Sequence, residues 1–167
     1  MLDADVAPVV HVLTTGGTID KEYFDAKSAY HVGAPQIVSI LHEANIQVTY
    51  RLETLFQKDS LDLTDEDRAA IAERVRAVPS RRVLITHGTD TMVHTAQALY
   101  PVGDKTVVLV GSLTPARFKG TDAVFNIGFA WSAVQTLPCG VYVAMNGQVF
   151  SPDHVRKNRA ANRFEEM

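Results

Sequence analysis

The chain has 167 residues, of which 46% are hydrophobic and 21% charged, with a formal net charge of −3. Such a balance suits one domain that buries its own core, and it excludes the basic surface of a nucleic-acid or anionic-membrane binder. The single cysteine, Cys139, rules out an internal disulfide and fits a reducing, cytoplasmic setting. No run approaches the ~18–20 apolar residues of a membrane span, and no signal-peptide pattern is visible.

Val9-Val10-His11-Val12-Leu13 is an apolar, β-branched run that predicts a buried first strand, ending in Thr14-Thr15-Gly16-Gly17-Thr18-Ile19. The polar stretch from Asp20 to His31 reads as a long loop. Residues 34–44 place Ile37, Ile40, Leu41 and Ala44 on one helical face, and 46–55 reads as the second strand. Thr64 and Asp67 form a capping box, with Asp in place of Glu, opening a helix that buries Ile71, Val75 and Val78 and stops at Pro79. Residues 82–86 predict the third strand, which runs into Thr86-His87-Gly88-Thr89-Asp90-Thr91. A helix from Met92 to Tyr100 precedes the fourth strand, Thr106–Val110. Residues 122–135 form a fourth helix, expected to approach a neighbour closely at Gly128. Val141–Met145 is the fifth strand, and Gln148–Phe150 adds a short hairpin strand. The last dozen residues show no clear periodicity.

Strands alternating with helices predict an α/β fold: one doubly wound, mainly parallel five-stranded sheet of flavodoxin or Rossmann type, helices on both faces. Ligands bind beyond the carboxyl ends of such strands. Thr15, Ser60, Thr89, Ser112 and Asn146 therefore share one rim.

The first loop carries threonine hydroxyls on a glycine backbone. Thr14, Thr15 or Thr18 could act as a nucleophile if a base or relay lies near, or the string could simply be a tight turn. Thr89 and Asp90 begin a helix, where the backbone favours negative charge. Asp90 either caps that helix or holds a substrate ammonium. His87 resembles a general base by type, yet its tight turn suits a structural role equally. The six histidines show no zinc spacing. Lys157 sits in a basic cluster and is either solvated or folded back on Asp90. No G-x-S-x-G elbow is present, which argues against an ordinary α/β-hydrolase.

Together these strings resemble the L-asparaginase family, specifically the bacterial-type enzymes with threonine nucleophiles. The likeness spans nearly the whole chain in order: T-G-G-T-I, a tyrosine-bearing lid, Ser60-Leu61-Asp62, H-G-T-D-T, Val110-Gly111-Ser112 with Pro115, Met145-Asn146, and Lys157. It implies that Thr15 is the nucleophile, partnered by the lid tyrosine Tyr30, with Tyr23 as a competitor. Thr89, Asp90 and Lys157 would form the second catalytic cluster. Ser60 and Asp90, with Gly88 and Thr89, would hold the α-carboxylate and α-amine of asparagine. The expected reaction is hydrolysis of L-asparagine to L-aspartate and ammonia through a β-aspartyl ester. No metal or organic cofactor, no nucleic acid and no membrane is expected, and a homo-oligomer is compatible.

Family members usually have a polar residue where Leu61 stands, which implies a looser grip on the substrate head group. They generally run to about twice this length, so residues 1–167 are expected to form a single N-terminal-type catalytic domain without a second one. Two alternatives keep the loops but change their use. One is a glutaminase-asparaginase or an ammonia-supplying amidotransferase subunit; the other is a non-catalytic amino-acid-binding domain.

Overall fold

The computed structural model describes residues 9–24 and 29–167; residues 25–28 of the expected long loop lie outside them. In chain order the elements are β1 (Val10–Gly16), β2 (Lys21–Phe24), β3 (Ala29–Val32), α1 (Ile37–Glu43), β4 (Tyr50–Lys58), α2 (Asp65–Ala77), β5 (Arg82–Thr86), α3 (Met92–Ala98), β6 (Thr106–Val110), α4 (Ala123–Thr136), β7 (Gly140–Met145), β8 (Gln148–Phe150), β9 (Val155–Asn158) and β10 (Arg163–Glu166).

The central sheet has the order β4-β1-β5-β6-β7-β8. Its first five strands are parallel, and β8 adds an antiparallel sixth at the edge. The parallel strands follow the flavodoxin order, second-first-third-fourth-fifth. Val83, Leu84, Ile85 and Val107 to Val110 are fully buried, because strands covered by helices on both faces have no solvent side.

Side chains show which helices share a face. Tyr50, paired with Val10 in register, meets the Trp131 ring of α4 edge-on at 5.7 Å. Glu53, on the opposite pleat of β4, takes Arg74 of α2 at 2.8 Å. Since α1 packs beside α4 and α2 beside α3, α1 and α4 cover one face and α2 and α3 the other. This arrangement fixes relative handedness. The α1 connection steps leftward on its face, whereas α2 and α3 step rightward on the opposite face, so all three share one hand. The α4 connection steps rightward on the α1 face and must have the other hand, against the strong general preference. Residues 111–122 carry the chain across that change of face.

Thr64 caps α2 as its spacing predicts: its hydroxyl accepts from the Asp67 N–H, and the Asp67 carboxylate accepts from the Thr64 N–H. Four other expectations are corrected. First, β1 runs on through Thr15 to Gly16, and β4 begins at Tyr50 rather than residue 46; Ile46 and Val48 pack on the core from the preceding loop. Second, the expected long loop holds a two-stranded hairpin in which Tyr23 pairs with Tyr30. Third, the aperiodic tail is a second hairpin, β9–β10. Both hairpins are four residues per strand, too short to show an alternating apolar signal. Fourth, Gly128 faces open space, so no close helix approach requires it.

The terminal hairpin is docked rather than free. Phe164 lies 6.5 Å from the Phe150 ring, Val155 is buried, and Gln97 of α3 donates to the Pro152 carbonyl at 3.0 Å.

Candidate active site

Three strand ends interlock at the carboxyl rim. Gly16 and Gly17 adopt φ values of 102° and 92°, a region that only glycine enters cheaply. A β-carbon on Gly17 would lie 2.4 Å from the Gly88 Cα, and one on Gly88 would lie 2.6 Å from the Ser60 Cβ. The ends of β1, β5 and β4 therefore touch through glycines that admit no side chain. Thr91 ties the same corner by donating to the Ser60 carbonyl at 2.8 Å. Thr15 is buried, and its hydroxyl donates to the Thr86 carbonyl at 2.8 Å.

The second cluster closes from the far end of the chain. Lys157 on β9 donates from Nζ to Thr89 Oγ1 and to Asp90 Oδ1, each at 2.7 Å. An ammonium only donates, so Thr89 must accept here and its own hydroxyl hydrogen remains directed elsewhere. Of the two roles open to Asp90, the cap is absent: α3 has no side-chain cap hydrogen bond, and the carboxylate is paired with Lys157 instead. Arg159 stands 3.6 Å from the same Asp90 oxygen. A cavity of about 290 Å³, lined in part by Asp90, His94, Lys157 and Arg159, opens beside this cluster.

The hairpin β2–β3 is held over the rim by two ion pairs. Lys21 meets Asp59, next to Ser60, at 2.8 Å, and Glu22 meets Arg117 at 3.0 Å. Tyr30 packs its ring against Tyr23 at 5.7 Å and Phe118 at 5.8 Å, and both tyrosines are exposed. Neither hydroxyl bonds to Thr15. The structure thus assembles Thr89, Asp90 and Lys157, and sets Thr15 and Ser60 on the adjoining strand ends, but leaves Tyr30 exposed beside Asp59 and Leu61.

His87 is fully buried. Its Nδ1 faces the Gly88 carbonyl and its Nε2 the Thr95 hydroxyl, both at 2.7 Å. A carbonyl can only accept, so Nδ1 carries the proton and Nε2 accepts from Thr95. Burial pushes its pKa down to about 4, so the ring is neutral and props the Gly88 turn. Residues 111–122 form another wall. Asp122 accepts from the Leu113 and Thr114 N–H groups and from the Asn126 and Asn146 amides. Burial raises the pKa of this carboxyl, but those hydrogen bonds outweigh it and hold the group below its usual range. Asn146, with φ 49°, thereby joins the rim. Ser112 is buried and donates to the Thr114 carbonyl at 2.6 Å. The sequence does not reveal the Asp122 hub, because an aspartate before a helix reads as a cap, whereas the Asp122 side chain makes no cap hydrogen bond to α4.

Asp20, at the root of the hairpin, is 2% exposed. Burial pushes its carboxyl up to about 7 against the N–H of Gln36, which donates to it at 2.8 Å. The unfolded chain ionises this group near 3.8, so the folded state holds the proton more tightly. Its contribution to stability is full below that value and is lost as pH rises through about 7. Asp20→Asn should abolish that loss. Between pH 4 and 8 the variant gains on the wild type by up to about 4 kcal/mol in urea titrations. A constant difference across that range would show that Asp20 ionises normally.

Among the described residues, no three His, Cys, Asp or Glu side chains converge as metal ligands, and no helix is long and apolar enough to cross a membrane. Residues 9–165 match the family model described as "Asparaginase, N-terminal". The chain belongs to the asparaginase family. A Haemophilus influenzae relative named "Probable L-asparaginase periplasmic" is 32% identical, over 90% of this chain and 46% of its own. A Pseudomonas fluorescens "Glutaminase-asparaginase" is 30% identical, over 89% of this chain and 45% of its own. The solved structure of the thermostable L-asparaginase from Thermococcus kodakarensis superposes with a TM-score of 0.82 at 26% identity, covering 95% of this chain and 51% of that one. This asparaginase-family chain thus spans about half the length of the relatives it matches.

Proposed function

We propose that residues 1–167 form a catalytic domain that hydrolyses the side-chain amide of L-asparagine, with Thr15 as nucleophile. The observation that carries this reading is the contact of Lys157 with both Thr89 and Asp90, made across more than sixty residues of chain, at the end of the strand whose Thr86 carbonyl accepts from Thr15. A lysine drawn back that far is not a solvated surface charge.

In this reading Thr15 Oγ1 attacks the amide carbon, and the backbone N–H of Thr89 stabilises the oxyanion. One donor of that kind is typically worth ~10²–10³ in rate. The hydroxyl proton of Thr15 ends on the departing ammonia. Water then cleaves the β-aspartyl ester, restoring Thr15 and releasing aspartate. Its Thr86 contact orients the Thr15 hydroxyl but cannot deprotonate it, since a peptide carbonyl is no base. Closure of the β2–β3 hairpin would bring Tyr30, or its cross-strand partner Tyr23, to that hydroxyl. On the opposite side, Lys157 fixes Thr89 so that its free hydrogen points to the substrate or the attacking water. Ser60 and Asp90 hold the amino-acid head group.

The exposed, unpaired Cys139 supports a cytoplasmic setting, and the exposed Val124 and Phe125 of α4 support a homo-oligomer. A broader amide specificity is favoured by one feature: Leu61, exposed beside Ser60, offers no polar contact to a head group. Ammonia release from L-asparagine and L-glutamine, measured side by side, tests both readings. Asparagine should be the better substrate by at least about tenfold in kcat/KM, since each extra methylene is worth that much in a fitted pocket. Near-equal rates would make the domain a glutaminase-asparaginase, and no turnover of either amide would leave a binding domain.

A further inference from the structure

Arg159 follows Lys157 by two positions at the start of the β9–β10 turn. Both line the cavity beside Asp90. They are held very differently: the Lys157 side chain is 13% exposed, whereas that of Arg159 is 65% exposed. The neighbouring Arg156 and Arg163 share one carboxylate at direct ion-pair distance, Glu165, which Arg156 meets at 2.9 Å and Arg163 at 3.3 Å. Among the described residues, the 3.6 Å approach to Asp90 is the one polar contact of the Arg159 side chain.

Two cations thus face a single carboxylate that Lys157 already satisfies, and Arg156, whose partner Glu165 lies outside the lining, makes the cavity more positive still. Once a substrate ammonium docks on Asp90, a third cation crowds that group and Arg159 is driven off it. The α-carboxylate of the same amino acid lies one carbon from its ammonium. A guanidinium is the side chain best shaped to take it with two parallel N–H bonds. Ser60 is the other group available for that carboxylate, and its neighbour Leu61 adds nothing polar.

We infer that Arg159 is a specificity-determining residue that binds the substrate's α-carboxylate, exchanging its loose contact with Asp90 for a paired one with the ligand. This rests on the amidohydrolase reading above. The trade favours the ligand: a solvated ion pair changes equilibria by a few-fold at most, whereas a paired guanidinium–carboxylate contact is worth about tenfold or more.

The test compares wild type, Arg159→Gln and Arg159→Lys on L-asparagine and on β-alaninamide, which keeps the ammonium and the amide but lacks the α-carboxylate. Arg159→Gln should raise KM for asparagine about tenfold with kcat within about twofold, and leave kcat/KM for β-alaninamide unchanged. Arg159→Lys should recover part of the loss. Equal losses on both amides would overturn the assignment, because they would mean that Arg159 acts only by positioning Asp90 and Lys157. No change on either would overturn it as well. If wild type turns over neither amide, the hydrolase reading fails by itself. Calorimetry with L-aspartate and β-alanine then decides the matter, since Arg159→Gln should weaken the first about tenfold and spare the second.

Discussion

Thr15→Ala should abolish ammonia release from L-asparagine, lowering kcat by about 10⁴-fold or more, the scale set by removal of a nucleophile that works as part of a unit. The fold should survive. Thr15 contributes one buried hydrogen bond, to the Thr86 carbonyl at 2.8 Å, and its loss costs about 1 kcal/mol. A melting curve close to wild type beside a dead enzyme is therefore the expected pair of results. Thr15→Ser keeps the hydroxyl without the methyl that restricts its rotamer, and should retain measurable turnover. Other hydroxyls at the rim are already committed: Thr14 donates to Thr54 and Ser112 to the Thr114 carbonyl. Substantial activity in Thr15→Ala would sink the nucleophile assignment and move attention to Thr18, Thr14 and Ser112.

Lys157→Met should lower kcat by about 10²–10³-fold, within the range for removing a group that manages a proton in the transition state. Methionine keeps most of the stem, so the packing of β9 is retained while both 2.7 Å contacts vanish. Thr89 then loses the donor that fixes its hydroxyl, and Asp90 is left with the distant Arg159. Lys157→Arg should not rescue the rate. A planar fork cannot set one nitrogen between a hydroxyl and a carboxylate where a compact ammonium sits. Steady-state kinetics with a stability control checks this, and full activity in either variant would show that Lys157 is only a surface ion pair.

The sheet was legible in the sequence wherever burial on both faces forced unbroken apolar runs, as in Arg82–Thr86 and Thr106–Val110. The capping box of Thr64 and Asp67 was equally plain, because its two hydrogen bonds need specific residue types at a fixed spacing. What escaped is held by other means. The hairpins β2–β3 and β9–β10 are pinned by ion pairs and single aromatic contacts, which leave no periodic trace. Their misreading as loop and tail concealed how Lys157 reaches the rim. Only family likeness groups Thr89, Asp90 and Lys157; spacing alone leaves Lys157 either solvated or folded back. Arg159 and Asp122 carried no signal, since an arginine in a turn and an aspartate before a helix are ordinary there. Asp20 was hidden for a related reason: its burial depends on the hairpin that the sequence did not show.

The route by which Lys157 arrives has a bearing on biosynthesis. Its strand is secured by Arg163–Glu166, with Phe164 seated on Phe150. In a chain emerging from the ribosome, the strands that carry Thr15 and Thr86 leave the exit tunnel well before Lys157 does. Only when residues up to Glu166 have cleared the exit tunnel can the ammonium be clamped between Thr89 and Asp90. The contact of Lys157 with Thr89 and Asp90 is thus completed by one of the last segments described, long after the strands that carry its partners.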